Sequence, residues 1–259
     1  MTHFALPDGL PSGHFLPPAS PTLWQSDTPV AEPVQLWTRC QRHEGVTGLR
    51  PVLSRWPIHP GPASHPAEIA AYQLEPSLEA SWRSYRELQL SGLGIPADLL
   101  PADVQPWEPD PGPPYEQWPG LAPAVDAAEG NDPEQVPPLV LADLLADPRG
   151  LGEPYLVLVP AARSADIPAV MAWDADVPHV QLSAMLRSWE DRFGIRVVAF
   201  HHAWIYVSVA RPPRTAAHAA HVALEHVLTG AYNVNEGWPP FADYAASLLG
   251  ARLWSFWWD

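Results

Sequence analysis

Three side chains in the segment "RTAAHAAHVALEHVLTG" have types and spacing that suit chemistry: His218, His221 and Glu225. On a helix turning 100° per residue they fall within about 60° of one another, so two imidazoles and a carboxylate share one face. Such a set is a three-ligand arrangement for a metal, and with water in an open position it would support metal-assisted hydrolysis. A plainer reading fits equally well: Ala220, Ala223, Leu224 and Val227 pack on a sheet, and the histidine face meets water. The plainer reading is the expected one.

Two loops carry a second group of candidates. "WDADVPH" holds Trp173, Asp174, Asp176 and His179, and "YNVNEGW" holds Tyr232, Asn233, Asn235, Glu236 and Trp238. Both mix aromatic rings with hydrogen-bonding groups beside helices, a composition suited to recognition, and a ligand or partner groove is expected there. His201 and His202 sit between two strand patterns. Neighbours along a strand point to opposite sides, so this pair reads as turn residues and not as joint metal ligands. No G-x-S-x-G elbow, H-E-x-x-H motif or G-x-G-x-x-G fingerprint is present, and no catalytic residue is assigned.

Composition removes several function classes. All 14 basic residues are arginines. Without lysine there is neither a phosphate-binding loop of the G-x-x-x-x-G-K-[ST] type nor a Schiff base for pyridoxal phosphate, and no cofactor is implied. One cysteine allows no intrachain disulfide, thiolate zinc cluster or two-cysteine redox motif. Cys40 lies among Val34, Leu36 and Trp37 and is expected to be a packed core thiol. A formal charge of −15 argues against nucleic acid, whose affinity rests on cations that neutralise phosphate, and makes a basic protein the more natural partner. With no run of about 18 apolar residues and no basic, apolar leader, the expectation is a cytoplasmic protein with no membrane contact.

These residues need elements to hold them. Residues 1–12 read as a flexible N-terminus. Residues 13–95 read as a small mixed α/β unit, with strands at "TLWQSD" and "LRPVLSRW", a helix at "EPVQLWTRCQRH", and a helical stretch from Pro66 to Leu90 that Pro76 breaks or restarts. Between Pro96 and Pro138 lie 12 of the 34 prolines, nine acidic residues and no arginine, which marks an extended acidic connector. Residues 139–259 read as an α+β domain: a mixed sheet of about four strands packed by three helices. "EPYLVLVP" has the continuous apolar run of a strand covered on both faces. "QLSAMLRSWEDRFG" puts Leu182, Leu186, Trp189 and Phe193 on one helical face, with Gly194 to end the helix. "RVVAF" and "WIYVSVA" form a hairpin. "FADYAASLLG" is a shorter helix, and in the terminal "RLWSFWWD" alternation sends Trp254, Phe256 and Trp258 to one face.

The stretches "LRSWEDRFGIRVV", "VARPPRT", "DYAASLLGARLW" and "FWWD" resemble the bacterial family known as domain of unknown function 4253, over about residues 139–259. The N-terminal "LWQSDTP" and "GLRPVL" are similar to the longer members of that family. The resemblance implies an α+β domain and brings no established activity. Members of that family often carry cysteines in segments where this chain reads Ala172 to Pro178 and Gly230 to Asn235, so any thiol chemistry at those places would not be shared by the same residues. The expected function is a non-enzymatic interaction module of the immunity or adaptor kind that binds a basic partner. A metal-assisted hydrolase using His218, His221 and Glu225 is the second reading, and a small-molecule-binding module the third.

Overall fold

The computed structural model describes residues 5–16, 23–92, 112–173, 175–235 and 240–258. They form two compact units. The first takes in the chain up to Tyr72, Ala124–Pro212 and the segment from Gly250; the second is Gln73–Pro123 with Pro213–Leu249.

The first unit is built on one sheet of seven strands: β1 (Gly13–Leu16), β2 (Leu23–Ser26), β3 (Arg50–Ser54), β4 (Tyr155–Val159), β5 (Ile195–His201), β6 (Trp204–Val209) and β7 (Leu253–Trp257). Their spatial order is β1-β2-β4-β3-β5-β6-β7. The fold is α+β, and β4 to β7 supply the mixed C-terminal sheet of four strands. It continues into the N-terminal α/β region, because β3 lies between β4 and β5. All neighbours are antiparallel except β3 and β5, which run parallel with Leu53 opposite Ala199 and Ser54 opposite Phe200. Several helices pack the fold, more than the three expected from periodicity. No helix among the described residues is long and apolar enough to cross a membrane.

One sheet face is covered by α1 (Pro33–Arg42) and α5 (Val136–Ala146), whose Trp37, Cys40, Val140 and Leu141 meet Trp24, Leu53, Leu156 and Tyr206 in a single cluster. Cys40 is buried there, and burial pushes its thiol up to about 11, so it is a packing group with little thiolate at neutral pH. Leu156 to Val159 are fully buried, as a strand covered on both faces requires.

The opposite face is covered by α7 (His179–Phe193). Trp189 stacks on Phe256 at 5.2 Å and meets Trp254 edge-on at 5.7 Å, while Phe193 meets Trp254 at 5.5 Å. Such ring pairs add roughly 0.5–1.5 kcal/mol each beyond the area they bury. The alternation read in the last strand is the observed one: Trp254, Phe256 and Trp258 are buried, and Ser255 and Trp257 are half-exposed. Gly194 ends α7 in the left-handed region at φ +62°, where its N–H donates to the Glu190 carbonyl.

In the second unit, α4 (Leu74–Gly92) buries Leu78 and Trp82. The helical stretch from Pro66 is two helices, since α3 (Pro66–Ala71), in the first unit, ends two residues before α4 begins. Pro76 is not the break. It sits in the first turn of α4, where the missing N–H has no helical partner to lose. Pro137 and Pro138 likewise occupy the first turn of α5, so the last residues of the acidic connector are helical. Its described part from 112 to 126 carries neither helix nor strand, and residues 96–111 lie outside the described residues. The unit is completed by α8 (Ala216–Val227), α9 (Tyr232–Asn235) and α10 (Phe241–Ser247). The Thr215 hydroxyl caps α8 by accepting from the His218 N–H.

Candidate functional site

Because β3 and β5 are adjacent and parallel, the loops that follow them open at the same end of the sheet, the position at which parallel strands commonly place a ligand crevice. Here they enclose a cleft of about 330 Å³, lined by Trp56, Ile58, His59, Trp173, Phe200 and His202 together with prolines of the loop after β3.

That loop is held by its backbone. The Arg55 N–H donates to the Phe200 carbonyl at 3.1 Å and carries the ladder one residue past β3. Ser54 Oγ donates to the Trp56 carbonyl at 2.6 Å, and the Ile58 N–H donates to Gln25 Oε1 at 2.8 Å. Pro57 and Pro60 have no N–H to satisfy. The result is a fixed wall that presents Trp56, whose side chain remains 54% exposed. Arg55 donates to the Gly150 carbonyl and lies 5.7 Å from the Trp56 ring.

The floor comes from the other side. A short helix, α6 (Ile167–Met171), ends at Ala172, which adopts φ 45° and ψ 52°. A side chain in this left-handed region costs roughly 1–2 kcal/mol. The turn delivers Trp173, whose N–H donates to the Pro168 carbonyl at 3.0 Å. The Trp173 ring packs 5.2 Å from Phe200 at an angle of 51° and 5.9 Å from Trp258 edge-on. Trp258 is itself buried and locks the floor.

His202, at the tip of the β5–β6 hairpin, adopts φ 52°. Ala172 and His202 are the two non-glycine residues with positive φ among the described residues; His202 lines the cleft, and Ala172 lies between the lining residues Met171 and Trp173. Beside them, burial holds the His201 imidazole below its ordinary pKa, and the charges of Arg55 and His202 act in the same direction.

The other end of β3 and β5 is ionic. Arg196 bonds Glu134 at 2.6 Å and Glu190 at 2.7 Å, and Arg163 bonds Glu190 at 2.7 Å and also Asp191. Arg187 bonds the buried Asp166 at 2.6 Å. Arg50, the first residue of β3, bonds Glu44, which opens the short helix α2 (Glu44–Thr47), at 2.6 Å and also the carbonyls of Ala161 and Ala162. Burial pushes the Glu44 carboxyl up to about 7; Arg50 opposes the shift and Glu134 adds to it.

Of the residues singled out in the sequence, Trp173 lines the cleft. Asp176 is exposed, His179 opens α7 half-exposed, and Asp174 lies outside the described residues. Tyr232 and Asn233 are half-exposed on α9. Glu236, Trp238 and the Asn235 side chain lie outside the described residues. The two loops belong to different units.

His218, His221 and Glu225 do share one side of α8, yet that side is not the open, solvated face expected. Glu225 is fully buried and accepts the Ala122 N–H at 2.6 Å. His221 Nε2 bonds the Gly120 carbonyl at 3.0 Å, and its ring lies 5.6 Å from Tyr115. The proline-rich segment of the same unit covers the helix by pairing its backbone with these side chains. Among the described residues no group of three His, Cys, Asp or Glu is placed to hold a metal ion.

Sequence reasoning missed Trp56, the loop to Pro60, Met171 and Phe200, and it set His202 aside as a turn residue. The signal that was available is a tryptophan opening a loop with three prolines, "RWPIHPGP".

Residues 155–259 match the model of a family described as domain of unknown function (DUF4253). No curated protein and no solved structure matches the chain. The family match contains the floor of the cleft and His202, whereas Trp56 and its loop come from the region before it.

Proposed function

We propose that the protein is a non-enzymatic recognition module that binds a basic partner protein and seats one of the partner's side chains in the cleft between Trp56 and Trp173. The observation that carries this reading is the pairing of an exposed tryptophan wall with two strained backbone positions, Ala172 and His202, at the same cleft. Backbone strain persists only where surrounding structure enforces it, and it gathers at binding and catalytic sites. An aromatic side chain left in water beside a preformed hollow is the usual anchor point of an interface. The charge of −15 supplies long-range attraction for a cationic partner and disfavours polyanions.

The test is affinity capture with the full chain, comparing wild type with Trp56→Asp at low and moderate salt. One stoichiometric basic protein, lost with the variant and weakened by salt, is the expected result. Capture that ignores both the substitution and the salt would overturn the reading. The cleft volume, at the small end of the range for ligand pockets, favours a second reading in which the occupant is a free small molecule. Under that reading, a metabolite screen gives a thermal shift that Trp56→Asp abolishes, with no protein captured.

A further inference from the structure

Resting on that reading of the cleft, we infer that the group seated there is a fully N-methylated ammonium, a permanent cation with no N–H, carried on a side chain of the partner. Its exposed wall is a π surface. Trp56 stands in water on one side, while Trp173 and Phe200, packed at 51° on the other, are buried, so Trp56 supplies most of the accessible aromatic surface. A cation within about 6 Å of a ring centroid is held by the quadrupole of the ring, and tryptophan is the strongest of the aromatic hosts. Trp56 already has a cation near its ring in this structure, the Arg55 guanidinium at 5.7 Å.

What the cleft lacks decides among cations. None of its described lining residues carries a carboxylate. The side-chain acceptors it offers are Ser54, His59 and His202, against five N–H donors on a guanidinium and three on an unmodified ammonium, and each donor buried without an acceptor loses its hydration. A guanidinium also gains most from a carboxylate that accepts its fork, which these walls do not supply. A quaternary ammonium has no donor to satisfy and carries methyl groups that the apolar walls of Ile58, Pro57 and Met171 can bury. A cleft of about 330 Å³ holds such a head group. The protein's net charge favours a cationic group over a neutral one of the same shape.

The test uses the full chain and two probes of nearly equal shape, choline and its uncharged carbon isostere 3,3-dimethylbutan-1-ol, read by calorimetry and by tryptophan indole N–H shifts. Choline is expected to bind about tenfold tighter than the isostere or better. Trp56→Leu should remove that preference, with an unchanged circular dichroism spectrum showing that the variant is folded. A short peptide bearing trimethyl-lysine should bind more tightly than choline and more tightly than the same peptide with unmodified lysine.

Equal binding of choline and the isostere would overturn the inference. If Trp56→Asp still abolished partner capture in that case, the recognition reading would stand with a neutral anchor. If capture were also unchanged, both would fall. Choline binding tighter than the trimethyl-lysine peptide would overturn the assignment to a partner's side chain and leave a free quaternary ammonium as the ligand.

Discussion

The two ends of β3 and β5 are opposites. At their N-terminal end, Arg50 and Arg196 sit in a ring of partners in which each guanidinium meets a carboxylate. At their C-terminal end the lining is largely aromatic and apolar and carries no carboxylate among the described residues, the backbone is strained at Ala172 and His202, and Trp56 faces water. The ionic end is paired almost throughout. Its guanidinium groups are paired within the molecule, with Asp166 Oδ2 the one buried carboxylate oxygen there lacking a hydrogen bond among the described residues, so it contributes chiefly to holding the fold. The aromatic end keeps apolar surface and backbone strain that folding alone does not call for, which is the imbalance expected of a binding site. Both ends lie on the same strands, so the contrast comes from the loops and flanking helices and not from the sheet.

The largest effect expected from disturbing this contrast is at the ionic end. Arg187→Met leaves the Asp166 carboxylate, only 1% exposed, without its cation. Removing one member of a buried pair costs about 3–5 kcal/mol, to be read as a fall in the urea midpoint at pH 7. The aromatic end should respond in the opposite direction. Ala172→Gly relieves the left-handed strain against the greater freedom of glycine in the unfolded chain, for a net gain of up to about 1 kcal/mol. The same variant should leave partner or ligand binding nearly unchanged, because glycine holds the left-handed turn that aims Trp173. A loss of stability in Ala172→Gly would show that the strain has been misplaced.

A smaller effect should appear as pH dependence. With its folded pKa raised to about 7 from an ordinary 4.5, Glu44 favours the fold most when protonated. Its contribution is therefore present on the acid side and is lost as pH rises from about 4.5 through 7. Between pH 5 and pH 8, wild type should lose more stability than Glu44→Gln, measured as the change in urea midpoint. Smallest of all in stability, and largest in binding, is Trp56→Ala. Its effect on the midpoint should stay within about 0.5 kcal/mol, as for exposed side chains generally. A variant that unfolded instead would make Trp56 a structural residue and remove the contrast.

Much of the sheet and its helices was legible in the residues. Trp254, Phe256 and Trp258 alternate, and the strand they form alternates. Leu182, Leu186, Trp189 and Phe193 lie on one face of α7, with Gly194 closing it. Local rules of period and capping suffice for such features, since each depends on residues a few positions apart. The candidate site was legible only in part. Trp173 was marked for its aromatic and polar company, while Trp56 carried only the prolines that follow it and Phe200 no local signal, because a strand-end aromatic reads the same whether packed or exposed. The face of α8 was misread for a related reason. Its helical geometry was right, but a segment about 100 residues earlier, Tyr115 to Ala122, covers it through backbone hydrogen bonds.

By itself, then, the sequence determined the types of most elements, though not β1, α5 or α6, together with the buried side of the terminal strand, the inert thiol of Cys40 and the exclusion of lysine-dependent chemistry. Tertiary structure alone decided that β3 inserts between β4 and β5, and with it everything at the cleft. The parallel pairing of β3 with β5 brings Ser54 beside Phe200 across some 145 positions of chain. Such a neighbour is chosen by the burial of both sheet faces together, a property of the assembled layers that no local window of residues contains.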